Sequence, residues 1–248
     1  MKARSASLTL YHFEPGHHRE VCVWHDQDHK PEVVGTMPHV FISQRWVAPP
    51  DLMAARPPSS LDHNGGEYVN LYWSSGSPGE MEADFDALGR RLEVVGRMQP
   101  MRYIHRTWGR RLVPVSAFTR PGLELSAEAV TFAPQTSGLM LVIVEILDTD
   151  ARDAYGRWHE SEHMPMILET GVFSGAVKLT SSARDERNLF VALYYTDRPD
   201  PGAAYQEFRE ITRGWRGTDR DFPNADATRR LVHSGMYRPS IGHYEFYP

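Results

Sequence analysis

The sequence predicts an α+β fold built from two tandem βαββαβ repeats, and three observations predict it. First, Trp24-His25-Asp26-Gln27-Asp28-His29-Lys30-Pro31 returns as Trp158-His159-Glu160-Ser161-Glu162-His163-Met164-Pro165, each reading Trp-His-acid-x-acid-His-x-Pro. Core positions tolerate many apolar exchanges, so two histidines, a tryptophan and a proline kept in step mark a duplicated unit. Second, the recurrence continues downstream: Ser77-Pro78-Gly79 with Asp200-Pro201-Gly202, Tyr72 with Tyr194, Phe85 with Phe208, and Arg102-x-x-His105 with Arg230-x-x-His233. Third, the offset falls from 158 − 24 = 134 to 194 − 72 = 122 across Ala48 to Gly66, a Pro-, Ser-, Asn- and Gly-rich stretch that reads as a longer loop in the first copy.

In the first copy, Ser7 to Phe13 predicts a strand and His17 to His29 a helix, although Val21, Cys22 and Val23 are poor helix formers. Val40 to Val47 and Tyr68 to Trp73 read as strands. Ser77-Pro78-Gly79-Glu80 is a capping box that opens a helix to about Gly96. Met101 to Trp108 predicts the last strand, and Arg110 to Ser137 shows no clear period.

The second copy follows the same order. Gly138 to Leu147 is an apolar run of strand length. Thr149-Asp150 caps a helix from Ala151 to His163, which Pro165 and Gly171 are expected to close. Phe173 to Thr180 and Leu189 to Thr196 are strands about the polar turn Ser181 to Arg187. Asp200-Pro201 caps a helix to about Trp215, Arg229 to Tyr237 is the last strand, and an aromatic tail follows from Gly242 to Pro248.

A βαββαβ unit is the ferredoxin-like arrangement, whose helices cover one face of an antiparallel sheet and leave the other apolar face to be buried. Two copies, residues 1–117 and 134–248 about a connector at 118–133, bury those faces by packing sheet to sheet as a pseudo-dimeric α/β barrel. Each half then carries a cleft between its sheet and its first helix.

Composition narrows the function. A net charge of −5 without a basic run argues against nucleic acid. The longest apolar run, Leu139 to Leu147, is interrupted by Glu145 and is far short of the roughly 20 residues that span a bilayer. Met1 to Leu10 lacks the apolar stretch of a signal peptide. The single cysteine, Cys22, excludes an intrachain disulfide, and the expected compartment is a reducing cytoplasm.

With motif and element order in view, the chain resembles the dimeric α/β-barrel superfamily in tandem form. Tyr155-x-x-Trp158-His159-Glu160-Ser161-Glu162-His163-Met164-Pro165 resembles the EthD-like pattern, an aromatic helix ending in His-x-Pro. In length and layout the chain is similar to the methylesterase/cis–trans isomerases of syringate catabolism. The superfamily also holds muconolactone isomerases, polyketide cyclases, cofactor-free monooxygenases and haem enzymes, so the resemblance implies a fold more sharply than a reaction.

His159 and His163 are four apart and share a helix face, as do His25 and His29. Imidazoles titrate near neutral pH and move protons without a metal. The plainer alternative is a pair of helix-end histidines bonded to carbonyls, with Trp24 and Trp158 as core. His159-Glu160-x-x-His163 also spells a zinc-protease string, but Pro165 is expected to end its helix and Asp26 stands at the glutamate position of the other copy. His105 and His233 lie on the last strands, three residues after Arg102 and Arg230. One member of each pair should therefore face the cleft, where an arginine suits a carboxylate. Tyr72 and Tyr194 are candidate hydrogen-bond donors in the clefts, or packing residues. His17-His18 reads as a solvated helix start, and His12, His39, His63 and His243 as incidental.

The reading that follows is a cofactor-free acid–base enzyme. It isomerises a double bond of a ring-cleaved, carboxylated aromatic catabolite, with methyl-ester hydrolysis at the same site. The catalytic candidates are His159, His163, His25, His29, His233 and His105; Trp158, Trp24, Tyr194, Tyr72, Arg230 and Arg102 are the substrate-binding candidates. No metal and no cofactor is expected. The partner is a small carboxylated molecule, with neither nucleic acid nor membrane, and a homodimer is compatible with it. The alternatives are a polyketide cyclase, a cofactor-free monooxygenase, and a haem- or small-molecule-binding module.

Overall fold

The computed structural model describes residues 2–123, 126–130, 136–183 and 188–240. The expected aromatic tail and His243 lie outside these residues, as does part of the expected turn at 181–187.

Alternation along each strand turns one row of apolar side chains inward and leaves the other for helices to cover. In the first half the elements are β1 (Ser5–Phe13), α1 (His18–Trp24), a π turn (His25–His29), α2 (Lys30–Thr36), β2 (Val40–Val47), α3 (Pro50–Ala55), β3 (Tyr68–Ser74), α4 (Pro78–Val94) and β4 (Ile104–Thr119). After α5 (Ala127–Val130) come β5 (Gly138–Ile146), α6 (Arg152–Trp158), a second π turn (His159–His163), α7 (Met164–Glu169), β6 (Gly175–Ser181), β7 (Leu189–Thr196), α8 (Pro201–Thr212), α9 (Ala225–Thr228) and β8 (Arg229–Pro239). Two of the expected caps form: Ser77 and Glu80 make the capping box of α4, and the Asp200 carboxylate accepts from the backbone of Gly202 and Ala203 at α8. The third is corrected: Asp148, one residue before Thr149-Asp150, accepts from the Asp150 N–H.

The strands close into one antiparallel eight-stranded barrel in the order β1-β3-β2-β8-β5-β7-β6-β4. The halves do not rest as two separate sheets laid face to face. They join edge to edge, β4 on β6 over Leu112 to Thr119 and β2 on β8 at Trp46 and Val47. Closure removes four edges of unpaired backbone that two open sheets would leave. It also corrects two expectations: β4 runs on past Trp108 to Thr119, so Arg110 to Thr119 is strand, and it crosses the expected boundary at residue 117. Inside, Leu8, Leu10, Leu71 and Trp73 of the first half meet Leu141, Ile143, Leu179 and Leu193 of the second in one fully buried core.

A second correction concerns the prolines. The motif helix does not stop at Pro165 or Pro31; α7 continues to Glu169 and α2 to Thr36. The N–H of Met164 reaches back five residues to the His159 carbonyl, and that of Lys30 to His25. The wide turn comes immediately before each proline, where a ring without an N–H would otherwise strike the carbonyl four residues back. Gly171, at φ +74°, follows the end of the second helix.

The loop between β2 and β3 packs across one end of the barrel. Gly65 (φ +86°) lies so close that a Cβ there would sit 2.4 Å from the His233 ring, so this position accepts only glycine.

Candidate active site

Each π turn faces the outer side of its own sheet, and α8 or α4 closes the space between them into a cavity. The cavity of the second half is about 450 Å³. Met140, Val142, Tyr194, Leu231 and Ser234 form its floor on β5, β7 and β8; His159, His163 and Ile167 one wall; Phe208 and Thr212 the other; and Trp215, Arg216, Arg220, Asp221 and Arg229 its mouth. The cavity of the first half is about 230 Å³, with His25, His29, Asn70 and Tyr72 against Phe85, Leu88, Met98 and Met101.

The structure brings the motif together within each half. The rings of His159 and His163 have centroids 5.3 Å apart, those of His25 and His29 5.6 Å. Trp158 stacks on His163 at 4.6 Å and Trp24 on His29 at 4.8 Å, so the tryptophans hold the second histidine of each pair. Neither tryptophan is among the residues lining its cavity. Tyr72 and Tyr194 occupy matching places on the two floors.

The structure does not bring His105, His233, Arg102 or Arg230 to the motif histidines. Beside β1 and β5 the last strands carry β-bulges, between Arg106 and Trp108 and between Leu231 and His233. A bulge inserts one residue and reverses the alternation beyond it. His233 therefore turns to the barrel end, where Nδ1 meets Ser59 Oγ at 3.2 Å and Nε2 meets the Tyr237 hydroxyl at 2.9 Å. His105 stacks on His12 at 4.9 Å. Arg102 is exposed and lies over Tyr103, and Arg230 pairs with Glu145 on the surface. The arginines at the cavities are Arg229, with Arg216 and Arg220 at the mouth, in the second half and Arg106 and Arg111 in the first. Strict alternation from the histidines missed them; the Arg229-Arg230 and Arg110-Arg111 doublets were the available signal.

Burial controls the charge of the site. It pushes the pKa of His163 down to about 4 and that of His159 well below the ordinary imidazole value, with His163, Lys178 and Arg229 adding to the effect on His159. His29 falls to about 4 and His25 to about 3, again chiefly through burial. All four are neutral at pH 7, each with one donor and one acceptor nitrogen.

The two halves differ at the first histidine. Nε2 of His25 lies 2.7 Å from Asn70 Nδ2 and 3.2 Å from the Tyr72 hydroxyl. At the offset that pairs Tyr72 with Tyr194, 194 − 72 = 122, the counterpart of Asn70 is Ala192. His159 has no such amide beside it and opens on the larger cavity.

The residues give little purchase to a metal. No group of three His, Cys, Asp or Glu suited to one occurs among the described residues. Glu160 turns away from His159 to the Lys178 ammonium at 2.7 Å, so the zinc-protease string lacks its glutamate at the histidines. A haem would need an axial histidine whose far ring nitrogen donates to an acceptor. Nδ1 of both His159 and His163 is buried without a partner, so this donor set does not fit an axial ligand. The other misread histidines are structural contacts: His18 is buried against the Tyr68 hydroxyl at 3.1 Å, and His39 pairs with Asp84 at 2.9 Å.

No protein-family model matches the chain, and no curated protein matches it. Solved structures do. A chlorite dismutase-like protein matches with TM-score 0.54 at 15% identity, covering 96% of this chain and 95% of its own. A mutant chlorite dismutase from Candidatus Nitrospira defluvii matches with TM-score 0.54 at 13% identity, covering 100% and 97%. An anthrone oxidase-like protein matches with TM-score 0.54 at 12% identity, covering 96% and 91%. The chain has the α+β barrel fold of these proteins. At such identities the likeness is one of fold, and the chemistry has to be argued from the site.

Proposed function

We propose that the second-half cavity is the active site of an enzyme that takes a proton from a small, unsaturated, carboxylated substrate and returns it elsewhere. The observation that carries this reading is the freedom of His159: it is buried, neutral and faces a cavity of about 450 Å³, whereas its counterpart His25 is held by Asn70 and Tyr72. One neutral imidazole of the His159–His163 pair accepts the substrate proton while the other donates to the carbonyl or enol oxygen. Met140, Val142 and Phe208 shield the conjugated anion from water. Arg220, which makes no ion pair among the described residues, meets the carboxylate at the mouth. An anion bound there also raises the histidine pKa values from their low resting state, so the base strengthens as the substrate arrives.

In this reading loss of the α- or enol proton gives a conjugated enolate, return of the proton to carbon gives the keto form in which the former double bond is single and rotates, and a second enolisation fixes the new isomer. No net oxidation occurs. A histidine-activated water gives the methylesterase variant. The motif's likeness to the EthD-like pattern, and the layout shared with the syringate-pathway isomerases, support it from the sequence side. So does treating the halves as tandem ferredoxin-like repeats: the strand order is β4-β1-β3-β2 in one and β8-β5-β7-β6 in the other. A second reading, cofactor-free oxygenation, uses the same carbanion with dioxygen as co-reactant. The fold shared with the anthrone oxidase-like protein favours it.

One experiment separates the two. The protein is incubated in D2O with an enolisable probe, anthrone first, with and without oxygen. Enzyme-dependent deuterium uptake without oxygen consumption supports the isomerase reading, and stoichiometric oxygen consumption supports the oxygenase. Neither, with anthrone and with a panel of unsaturated keto acids, contradicts both.

A further inference from the structure

The first-half cavity carries a different set of charges from the second. Arg106 and Arg111 both line it, and neither makes an ion pair among the described residues. Arg111 is half-buried: one nitrogen donates to Ser7 Oγ, its plane lies 4.7 Å from the Phe85 ring, and its Nε is buried without any partner. The acids that face it are Glu82 and Asp86 on α4, and both act on it without bonding to it. A guanidinium taken out of water with an unused N–H, beside a second guanidinium without an ion pair, suits an anion.

The rest of the cavity sets the body of that anion. Phe85, Leu88, Met98 and Met101 make an apolar slot of about 230 Å³, the size of one ring rather than several. At its floor the Tyr72 hydroxyl, the Asn70 amide and His25 form a closed polar cluster in which Tyr11 also bonds Asn70 at 2.9 Å. A hydroxyl or carbonyl on the far side of a ring would meet these groups. His25 is already bonded through Nε2, so the cluster recognises and does not abstract.

We infer that the first-half cavity is a binding site for a small aromatic carboxylate, its carboxylate on Arg111 and Arg106 and its ring between Phe85 and the methionines. It binds without turnover and stands apart from the second-half cavity. Burial holds the Arg111 pKa below the ordinary arginine value, a penalty that a bound carboxylate removes.

The test is calorimetric titration of the full chain with 4-hydroxybenzoate, and with acetate as a control for a bare anion. Saturable 4-hydroxybenzoate binding is expected, unchanged in His159→Ala and at least about tenfold weaker in Arg111→Gln, the size of a lost charge-assisted pair. Arg106→Gln, at an exposed position that leaves folding intact, should weaken it severalfold. The inference is overturned if the wild type does not bind, if acetate competes at equal concentration, or if both arginine variants bind undiminished. It is equally overturned if His159→Ala abolishes binding, which would assign the ligand to the other cavity. Failure of the proton-transfer reading would show in turnover and leave these affinities untouched.

Discussion

Glu160 accepts a hydrogen bond from Lys178 Nζ at 2.7 Å, and the first half repeats the relationship between Asp26 and Arg45, also at 2.7 Å. In both halves the third residue of the motif ties the π turn to the second strand of its sheet. In the second half the acid that might have served the neighbouring histidine is spent on the scaffold, whereas Asp26 also keeps its other oxygen 3.6 Å from Nδ1 of His25. This is why burial, with no carboxylate bonded to the ring, decides the charge of His159.

The pair is asymmetric, which makes it testable. Lys178 is 1% exposed, whereas the Glu160 side chain is 36% exposed. Glu160→Gln leaves a buried ammonium with neutral partners only, the Gly156 carbonyl, the Phe190 ring and the new amide oxygen. We expect a loss of about 2–3 kcal/mol, below the roughly 3–5 kcal/mol for breaking a fully buried pair because one partner is partly solvated and an acceptor remains. Lys178→Met leaves a carboxylate that water can reach and should cost about 1 kcal/mol or less. Urea unfolding of both variants checks this, and equal losses would refute the assignment.

The same geometry predicts metal content. Purified protein should carry no stoichiometric zinc at His159 and His163, because Glu160 is engaged elsewhere and no group of three ligands occurs among the described residues. Elemental analysis before and after chelation, paired with an activity assay, decides it; zinc lost together with activity would contradict the reading.

The difference between the halves predicts a transplant. Ala192→Asn places an amide where Asn70 stands in the first half and should bind His159, lowering turnover by about tenfold or more, the scale of a compromised acid–base group. Asn70→Ala, in the half with the held histidine, should change turnover by less than about twofold, under roughly 0.5 kcal/mol in barrier. Steady-state kinetics on both variants compares them directly.

The lowered histidines predict the acid limb of stability. An imidazole with a folded pKa near 4 and an ordinary unfolded value near 6.5 is neutral in both states above about pH 6.5. Between those values the unfolded chain binds the proton and the native state does not. Stability therefore falls as pH falls, by about 1.4 kcal/mol per pH unit for each such group. His29 and His163 share this window, and His25 and His233 extend it to about 3. Urea midpoints should drop steeply from pH 6.5 to 4.5 and stay nearly flat from 7 to 8.

Much of the candidate site's geometry was legible because the repeated motif keeps residues that packing alone does not demand. The motif located both cavities, and the pairing of Tyr72 with Tyr194 located both floors. Three features were hidden by local geometry. Proline at 165 reads as a helix end unless a π turn precedes it, and nothing in the residue types announces that turn. The bulges at Thr107 and Val232 reverse the alternation, so Arg229 and Arg106 reach the cavities and Arg230 and His233 do not. Edge pairing of β4 with β6 joins residues 175 − 119 = 56 to 181 − 112 = 69 positions apart, beyond the reach of a local pattern.

The central claim is that His159 and its partner His163 move the proton. The most direct measurement is the rate of solvent-deuterium incorporation into an enolisable substrate by wild type, His159→Ala, His163→Ala, His25→Ala and His17→Ala, each shown to be folded. A loss of about 10²-fold or more is expected for the first two substitutions. Little change is expected for His25→Ala, and little for His17→Ala, whose ring only stacks on Tyr103 at the surface and meets Glu20. Retention of rate within about threefold in both His159→Ala and His163→Ala, well under 1 kcal/mol of transition-state stabilisation, would contradict it and make the repeated histidines a packing device.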